Sequence, residues 1–179
     1  MQNSRCRGLF VIVKEFAYCG KKWQITAVEQ GKKELKIMFV CHGNICRSPM
    51  AEYILKSMLE ENSIEGVEVF SRGVSSEEEG NDIYPPAKRV LRAHAVPFSH
   101  HSAHCISDSD YASADIIYAL DSSNYRALMR RFPASMKIRM LLERDVDDPW
   151  YTGDFETAYL NISQGCLNIV KELKDDKIS

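Results

Sequence analysis

The residues with the clearest chemical potential are a cysteine and an arginine, Cys41 and Arg47, with five residues between them. Residues 36–40, directly before the cysteine, are mostly apolar and β-prone and predict a buried strand. After the arginine, Ser48 is expected to be the N-cap of a helix, with Pro49 as the first helical residue. A loop between a strand and a helix presents unpaired backbone N–H groups, so this segment predicts an anion site.

A cysteine in such a loop can act as a nucleophile. Gly43 lets the loop curl tightly, and Asn44 tolerates left-handed dihedral angles. The positive end of the helix and the guanidinium of Arg47 should favour the thiolate form of Cys41, which could attack phosphorus. Arg47 offers a planar fork for two phosphate oxygens, and the Ser48 hydroxyl can donate to the sulfur when it leaves. These features predict a cysteine-dependent phosphatase.

The longer string around these residues resembles a known family. Residues 40–49 read Val-Cys-His-Gly-Asn-Ile-Cys-Arg-Ser-Pro and resemble the low-molecular-weight protein tyrosine phosphatases. A bare Cys-x5-Arg spacing arises by chance, whereas this string between a strand and a helix is specific. The resemblance covers about residues 36–173 and implies that phosphate or substrate is bound by His42, Gly43, Asn44, Ile45, Cys46 and Ser48.

Strands that alternate with helices must position this loop. Beyond the first strand, apolar or alternating stretches predict strands over 66–71, 114–120 and 137–141, and helices fall between and after them. This order favours parallel pairing through right-handed crossovers, with ligands beyond the carboxyl ends of the strands. The resemblance implies an α/β three-layer sandwich with a central four-stranded parallel sheet, and a phosphate-binding loop after the first strand.

The reaction also needs a proton donor for the leaving oxygen, and the same carboxylate can later activate water. Asp145, Asp147 and Asp148 lie in a turn-rich segment that we expect to lack regular structure, and the sequence alone leaves the choice among them open. The family carries this acid in an Asp-Pro-aromatic-aromatic motif, which selects Asp148. The resemblance places the two following aromatic residues, Trp150 and Tyr151, at the entrance, where they could stack on an aromatic substrate.

The resemblance further implies a supporting hydrogen-bond network behind the loop, formed by Ser71, His101 and Asp121. We expect this network to position the loop and not to take part in the chemistry. His100 and His104 are close to His101 in sequence, but no cysteine or carboxylate pattern accompanies the three histidines. We therefore predict no metal site and no cofactor.

Two departures from the family bear on the substrate. The run Glu77–Glu79 is typical of a solvated loop, but the resemblance places it at the rim, where it would repel acidic peptides. His42 stands where tyrosine-directed members often carry leucine and phosphoarginine-directed members a small hydroxyl residue. The predicted substrates are phosphotyrosine proteins or small aryl phosphates, with phosphoarginine proteins as the alternative. Phosphate and vanadate should inhibit.

Composition limits the other classes of protein to which this chain could belong. The chain has 179 residues, 45% hydrophobic and 27% charged, which suits one domain with a substantial core. Its net charge of −2 creates no basic field for nucleic acid or anionic membrane. We find no apolar run near the ~20 residues that span a bilayer. Six scattered cysteines, one of them a predicted thiolate, favour the reducing cytoplasm.

The resemblance begins near residue 36 and divides the chain into two parts. We expect residues 1–35 to be a non-catalytic extension, either a hairpin of 9–18 and 22–28 or a disordered segment. Its apolar run, 8–13, is too short for a convincing secretory signal. Residues 36–179 should form the phosphatase domain.

Two rival functions use the same loop. Arsenate reductases of this fold relay a disulfide through additional downstream cysteines, but Cys105 is solitary and Cys166 falls on a predicted core helix. A phosphopeptide-binding protein without activity would need neither the nucleophile Cys41 nor the acid Asp148. The presence of both residues favours an enzyme.

Cys46 lies five residues after Cys41 in the same tight loop. If the loop brings the sulfurs together, oxidised Cys41 could form a disulfide with Cys46, which would make the enzyme redox-sensitive. The alternative is that Cys46 only packs beneath the loop as a small apolar residue.

Overall fold

The computed structural model describes residues 34–175. The hairpin or disordered segment predicted before residue 34 lies outside the described residues, and the division of the chain at residue 36 stays a prediction. Within this part of the chain, no helix is long and apolar enough to cross a membrane.

A four-stranded sheet forms the centre of the domain. Its strands are β1 Leu35–Cys41, β2 Val67–Gly73, β3 Ile116–Ala119 and β4 Ile138–Met140. The order is β2-β1-β3-β4, and each neighbouring pair is parallel. Helices cover both faces, so the predicted three-layer α/β sandwich is confirmed. β1 is central and shares both its edges with partners, which places the residues after Cys41 at the carboxyl edge of the sheet.

The helices follow the strands in the expected alternation. Within residues 34–175 they are α1 Arg47–Glu61, α2 Pro85–Ala93, α3 Asp108–Ser113, α4 Ser122–Arg131, α5 Pro149–Thr152 and α6 Phe155–Lys174. α3 was not predicted, because six residues are too few to show a helical period. It is stabilised by a capping box between Ser107 and Asp110.

The side chains of β1 alternate between two apolar layers. Ile37 and Phe39 pack with the buried faces of α1 and α6, whereas Met38 and Val40 pack on the opposite side of the sheet with residues such as Leu128 of α4. All four β1 side chains are fully buried. A strand buried on both faces reads as a continuous apolar run, as in a parallel sheet with helices on both sides.

The start of α1 differs from the prediction. The N-cap is Cys46 and not Ser48, so Ser48 and Pro49 occupy the second and third helical positions. The side chain of Cys46 makes no capping hydrogen bond, and the Ser48 hydroxyl is engaged with Cys41 and Asn44. The first N–H groups of α1 therefore have no side-chain acceptor of their own, which suits an anion as their partner.

Candidate active site

Cys41 ends β1 and lies at the floor of a cavity. Its side chain is buried, and its Sγ atom is 3.0 Å from Ser48 Oγ. Asn44 has a positive φ of 58°, the left-handed conformation expected for this loop. The loop therefore turns back sharply between the strand and α1 and brings the hydroxyl of Ser48 to the sulfur.

The Ser48 hydroxyl has one proton and two acceptors within reach. Asn44 Nδ2 donates to Ser48 Oγ at 2.9 Å, so the hydroxyl proton is free to point elsewhere. The acceptors are Cys41 Sγ at 3.0 Å and the Arg72 carbonyl at 3.2 Å. An ionised sulfur is the stronger acceptor because hydrogen bonds to charged groups are stronger than neutral ones. The Ser48 hydroxyl is therefore placed to stabilise negative charge that develops on the sulfur.

A chain of buried hydrogen bonds holds the loop from behind. His101 Nε2 donates to the Asn44 carbonyl at 2.9 Å, and Asn44 Nδ2 also donates to Ser71 Oγ at 3.0 Å. Ser71 in turn donates to Glu52 Oε2 at 2.6 Å. Burial lowers the pKa of His101 despite its bond to the Asn44 carbonyl, so the ring is neutral near pH 7 with its proton on Nε2.

The partners of this network differ from those that the resemblance implied. Ser71 and His101 meet through Asn44, whereas Asp121 lies elsewhere: it caps α4 by accepting from the Asn124 N–H at 2.7 Å and binds Arg47. The fourth polar side chain of the network, Glu52, was not predicted from the sequence. Its i,i+4 ion pair with Lys56 is typical of a helix surface, and only the fold shows that it is largely buried.

Arg47 is buried and holds two carboxylates. Nη1 donates to Asp121 Oδ2 at 2.5 Å and to the Val146 carbonyl at 3.0 Å, and Nη2 donates to Asp148 Oδ2 at 2.5 Å. Burial disfavours its charge, but the negative charges of Cys41, Asp148 and Asp121 outweigh this and raise its pKa. Nε is buried and has no partner among the described residues. Arg47 is therefore a cation held in a fixed position, and its Nε–H remains available to a ligand.

Asp148 begins a short helix where no regular structure was expected. It is the N-cap of α5, and its Oδ1 accepts from the Trp150 N–H at 3.1 Å while Oδ2 faces Arg47. Pro149 preorganises this turn by fixing its φ at the first helical position. This helix has only four residues and lies in a segment rich in turn-forming residues, so the sequence did not predict it.

The three candidate acids separate clearly in space. Asp145 accepts from the backbone N–H and the hydroxyl of Ser122 at 2.7 and 2.8 Å and thereby joins its loop to the start of α4. Asp147 is exposed and lies outside the cavity lining, whereas Asp148 lines the cavity with Cys41. The geometry supports the choice that the adjacent proline indicated.

The cavity above Cys41 has a volume of about 250 Å³. Trp150 is 50% exposed and Tyr151 is 82% exposed, and both line the entrance. Trp150 also contacts Tyr84, with 4.8 Å between ring centroids, and Tyr84 donates its backbone N–H to the Ile45 carbonyl at 2.8 Å. Tyr84, which the sequence did not single out, thus joins the phosphate loop to the acid turn. The lining is formed by Cys41, His42, Gly43, Ile45, Cys46, Arg47, Glu77, Glu78, Asp148, Trp150 and Tyr151.

Two further cysteines and one histidine among residues 34–175 have local partners. Cys46 packs with Ile45 and Ala103, and burial raises the pKa of its thiol. Cys166 is fully buried on α6 against the Ala51 carbonyl. His104 pairs with Glu79 at 2.6 Å.

Comparisons with known proteins agree with this geometry. The family described as "Low molecular weight phosphotyrosine protein phosphatase" matches residues 36–179. The low molecular weight protein-tyrosine-phosphatase YfkJ of Bacillus subtilis is 33% identical over 153 residues, which are 80% of this chain and 98% of the relative.

Two solved structures are also similar. The low molecular weight protein tyrosine phosphatase SP-PTP of Streptococcus pyogenes superimposes with a TM-score of 0.72 at 34% identity, over 78% of this chain and 93% of that one. The Drosophila arginine phosphatase DARP gives a TM-score of 0.72 at 31% identity, over 78% and 98% of the two chains. Together with the family match over most of the chain, these similarities show that this protein belongs to the low-molecular-weight protein tyrosine phosphatases, a family of cysteine-dependent phosphatases.

Proposed function

We propose that this protein hydrolyses phosphotyrosine monoesters in proteins through a cysteinyl-phosphate intermediate. The observation that carries the proposal is one cavity whose lining holds the buried Cys41, the cation of Arg47 and the carboxyl group of Asp148. A nucleophile, an electrophilic clamp and a proton donor are the groups that phosphoryl transfer requires.

Binding begins at the floor of the cavity. The phosphoryl oxygens are held by the backbone N–H groups at the start of α1 and by Arg47, whose buried Nε has no partner among the described residues. The second phosphate donor of the Arg47 guanidinium is Nη2, which bonds Asp148 in this structure. Substrate therefore replaces Asp148 on Arg47, and this exchange frees the carboxyl group to turn toward the leaving oxygen.

The first chemical step transfers the phosphoryl group to sulfur. The Cys41 thiolate attacks phosphorus, the bond from phosphorus to the tyrosine oxygen breaks, and protonated Asp148 gives that oxygen its proton. In the second step the Asp148 carboxylate takes a proton from water, which attacks the cysteinyl phosphate. The sulfur leaves as a thiolate that accepts a hydrogen bond from Ser48, and inorganic phosphate is released.

The remaining predicted residues have supporting roles in this proposal. His42, Gly43, Asn44, Ile45 and Cys46 form the loop that surrounds the phosphoryl group. Ser71 and His101 hold that loop through Asn44, and Asp121 orients Arg47. Trp150 and Tyr151 provide the aromatic wall of the entrance.

A second candidate is a protein-arginine phosphatase. It is supported by the similarity to the Drosophila arginine phosphatase. His42 matches neither the leucine of tyrosine-directed members nor the small hydroxyl residue of phosphoarginine-directed ones, so it does not select between the two candidates. His42 lies at the cavity mouth and bonds Glu77, so it is placed to contact the group that carries the phosphoryl.

Inhibition, partners and compartment complete the proposal. Phosphate and vanadate should compete with substrate, since both present oxygens to the same donors. A chemistry that requires reduced Cys41 suits the cytoplasm. The net charge of −2 favours no role with nucleic acid or with an anionic membrane.

The substrate class is tested with three peptides of one sequence that carry phosphotyrosine, phosphoarginine or phosphoserine at the same position. We expect the highest kcat/KM for phosphotyrosine, because its ring can stack on Trp150 and reach the floor. A higher kcat/KM for phosphoarginine would establish the second candidate. Hydrolysis of phosphoserine at the same rate would contradict both.

A further inference from the structure

The loop after β2 is fastened to the phosphate loop. Val74 and Ser75 donate their backbone N–H groups to the carbonyls of Cys41 and His42 at 2.9 and 3.0 Å. A Cβ atom placed on Gly43 would lie 2.9 Å from Cγ of Glu78, so this side chain lies directly over the phosphate loop. The acidic run therefore borders the cavity mouth while its side chains remain in contact with solvent.

Two of its three carboxylates face the mouth. Glu77 and Glu78 line the cavity, and their partners there are His42 Nε2 at 3.1 Å and the neutral amide of Asn81 at 2.7 Å. Glu79 differs, because it binds His104 and also accepts from the Cys105 N–H at 2.9 Å. We call Glu77 and Glu78 the carboxylate rim.

The charges of this cavity are arranged in two layers. At the floor, the buried Arg47 keeps a donor, Nε, without a partner among the described residues, and this orphan donor independently indicates an anionic ligand. At the mouth, the carboxylate rim is negative. A ligand that fits both layers carries an anionic group at its inner end and positive charge beside it.

We propose that the carboxylate rim makes this phosphatase selective for phosphotyrosine that is flanked by lysine or arginine, and that it disfavours acidic flanks. The inference rests on the proposed function, since that function places a phosphoryl group on the floor. A tyrosine held there brings the neighbouring residues of its peptide past Glu77 and Glu78. Opposite charges at that point raise the association rate of the peptide and lower its dissociation rate, whereas like charges do the reverse.

The test compares two phosphotyrosine peptides that differ only in having lysines or glutamates on both sides of the phosphotyrosine. We expect the wild type to prefer the lysine peptide by about tenfold in kcat/KM at low salt, as partly exposed charges allow. This ratio should shrink as ionic strength rises, because salt screens exposed charges beyond about 10 Å at 0.1 M. In the Glu77→Gln/Glu78→Gln double variant it should fall close to one.

The matched control is Glu60→Gln/Glu65→Gln, which removes the same charge from exposed positions at the far end of α1 and before β2. It should keep the wild-type ratio. Equal kcat/KM for the two peptides in the wild type, or an unchanged ratio in the rim variant, would overturn the inference. If neither peptide is hydrolysed, the proposed function itself fails, and that result is distinct from hydrolysis without preference.

Discussion

The floor and the mouth of the cavity are built in different ways. The floor comes from one contiguous segment, Cys41 to Ser48, whose Cys41, Asn44, Arg47 and Ser48 side chains are buried and bonded to fixed partners. The mouth is assembled from separate segments, the carboxylate rim after β2 and the acid turn Asp148–Tyr151, and its side chains range from partly buried, as in Asp148 and Glu78, to exposed, as in Glu77 and Tyr151. The difference indicates that reaction type resides in the floor and substrate choice in the mouth. Substitutions in the floor should therefore slow all substrates, whereas substitutions in the mouth should affect some substrates more than others.

Asp148 joins the two regions, and its substitution should have the largest effect among the variants of the mouth. Asp148→Asn should lower kcat for phosphotyrosine by roughly 10²–10⁴-fold, because a poor leaving group departs slowly without a proton donor. The transfer of the phosphoryl group from an activated aryl phosphate to Cys41 should slow less, because that leaving group needs less protonation. Steady-state assays with both substrates provide the measurement. The matched control is Asp147→Asn on the exposed neighbour, and a larger loss there would show that the acid has been misassigned.

Arg47→Lys tests whether the floor acts on all substrates alike. Lysine keeps the charge but loses the planar fork, so we expect kcat/KM to fall by roughly 10²–10³-fold for phosphotyrosine peptides and for p-nitrophenyl phosphate equally. Arg89→Lys on the exposed face of α2 is the control. If only the peptides were affected, Arg47 would belong to substrate recognition and the two regions would not separate as described.

The network behind the floor should make stability depend on pH through His101. Its pKa is lowered in the folded state by burial, so the unfolded chain takes up the proton first as pH falls. The contribution is fully present above the unfolded pKa of about 6.5 and is lost as pH falls from there toward the folded pKa, by at most about 1.4 kcal/mol per pH unit.

Urea unfolding at pH 7.5 and pH 5.5 measures this difference. His101→Gln should reduce the pH dependence, whereas His100→Gln, on a side chain that is 79% exposed, should leave it unchanged. A larger loss of pH dependence in His100→Gln than in His101→Gln would show that His101 is not the group whose protonation changes stability.

The smallest expected effect concerns oxidation. Peroxide should oxidise Cys41 first, and if Cys46 reaches it the pair should form a disulfide that dithiothreitol reverses. Recovery of activity should then be lower in Cys46→Ser than in the wild type. Because burial raises the pKa of the Cys46 thiol, protection should improve as pH rises. Equal recovery in both proteins would leave Cys46 as a packing residue.

The contrast between floor and mouth also explains what the sequence could predict. Cys41, Arg47 and Ser48 lie within eight consecutive residues, so one local string between a strand and a helix was enough to predict the chemistry. Asp148 was selected by the resemblance, through the family's Asp-Pro-aromatic-aromatic motif, since the sequence alone left Asp145, Asp147 and Asp148 open. Strands and long helices followed from their apolar periods, and the parallel sheet followed from their order.

Long-range pairings were not predictable in this way. The resemblance grouped Asp121 with Ser71 and His101, but Asp121 binds Arg47, which is 74 residues away in the chain. The buried state of Glu52 and the ring contact of Tyr84 with Trp150 depend on how the layers pack, and no local pattern marks them. The carboxylate rim was placed at the mouth only by the resemblance, because its run of charge alone is typical of a solvated loop.

The most direct test of the central claim is turnover by Cys41→Ser, measured beside vanadate binding to the same protein. A serine hydroxyl is far less nucleophilic than a thiolate at neutral pH, so turnover of p-nitrophenyl phosphate should be abolished. Vanadate should still bind, because Arg47 and the loop N–H groups remain. Appreciable turnover by the folded variant would contradict the assignment of Cys41 as the nucleophile.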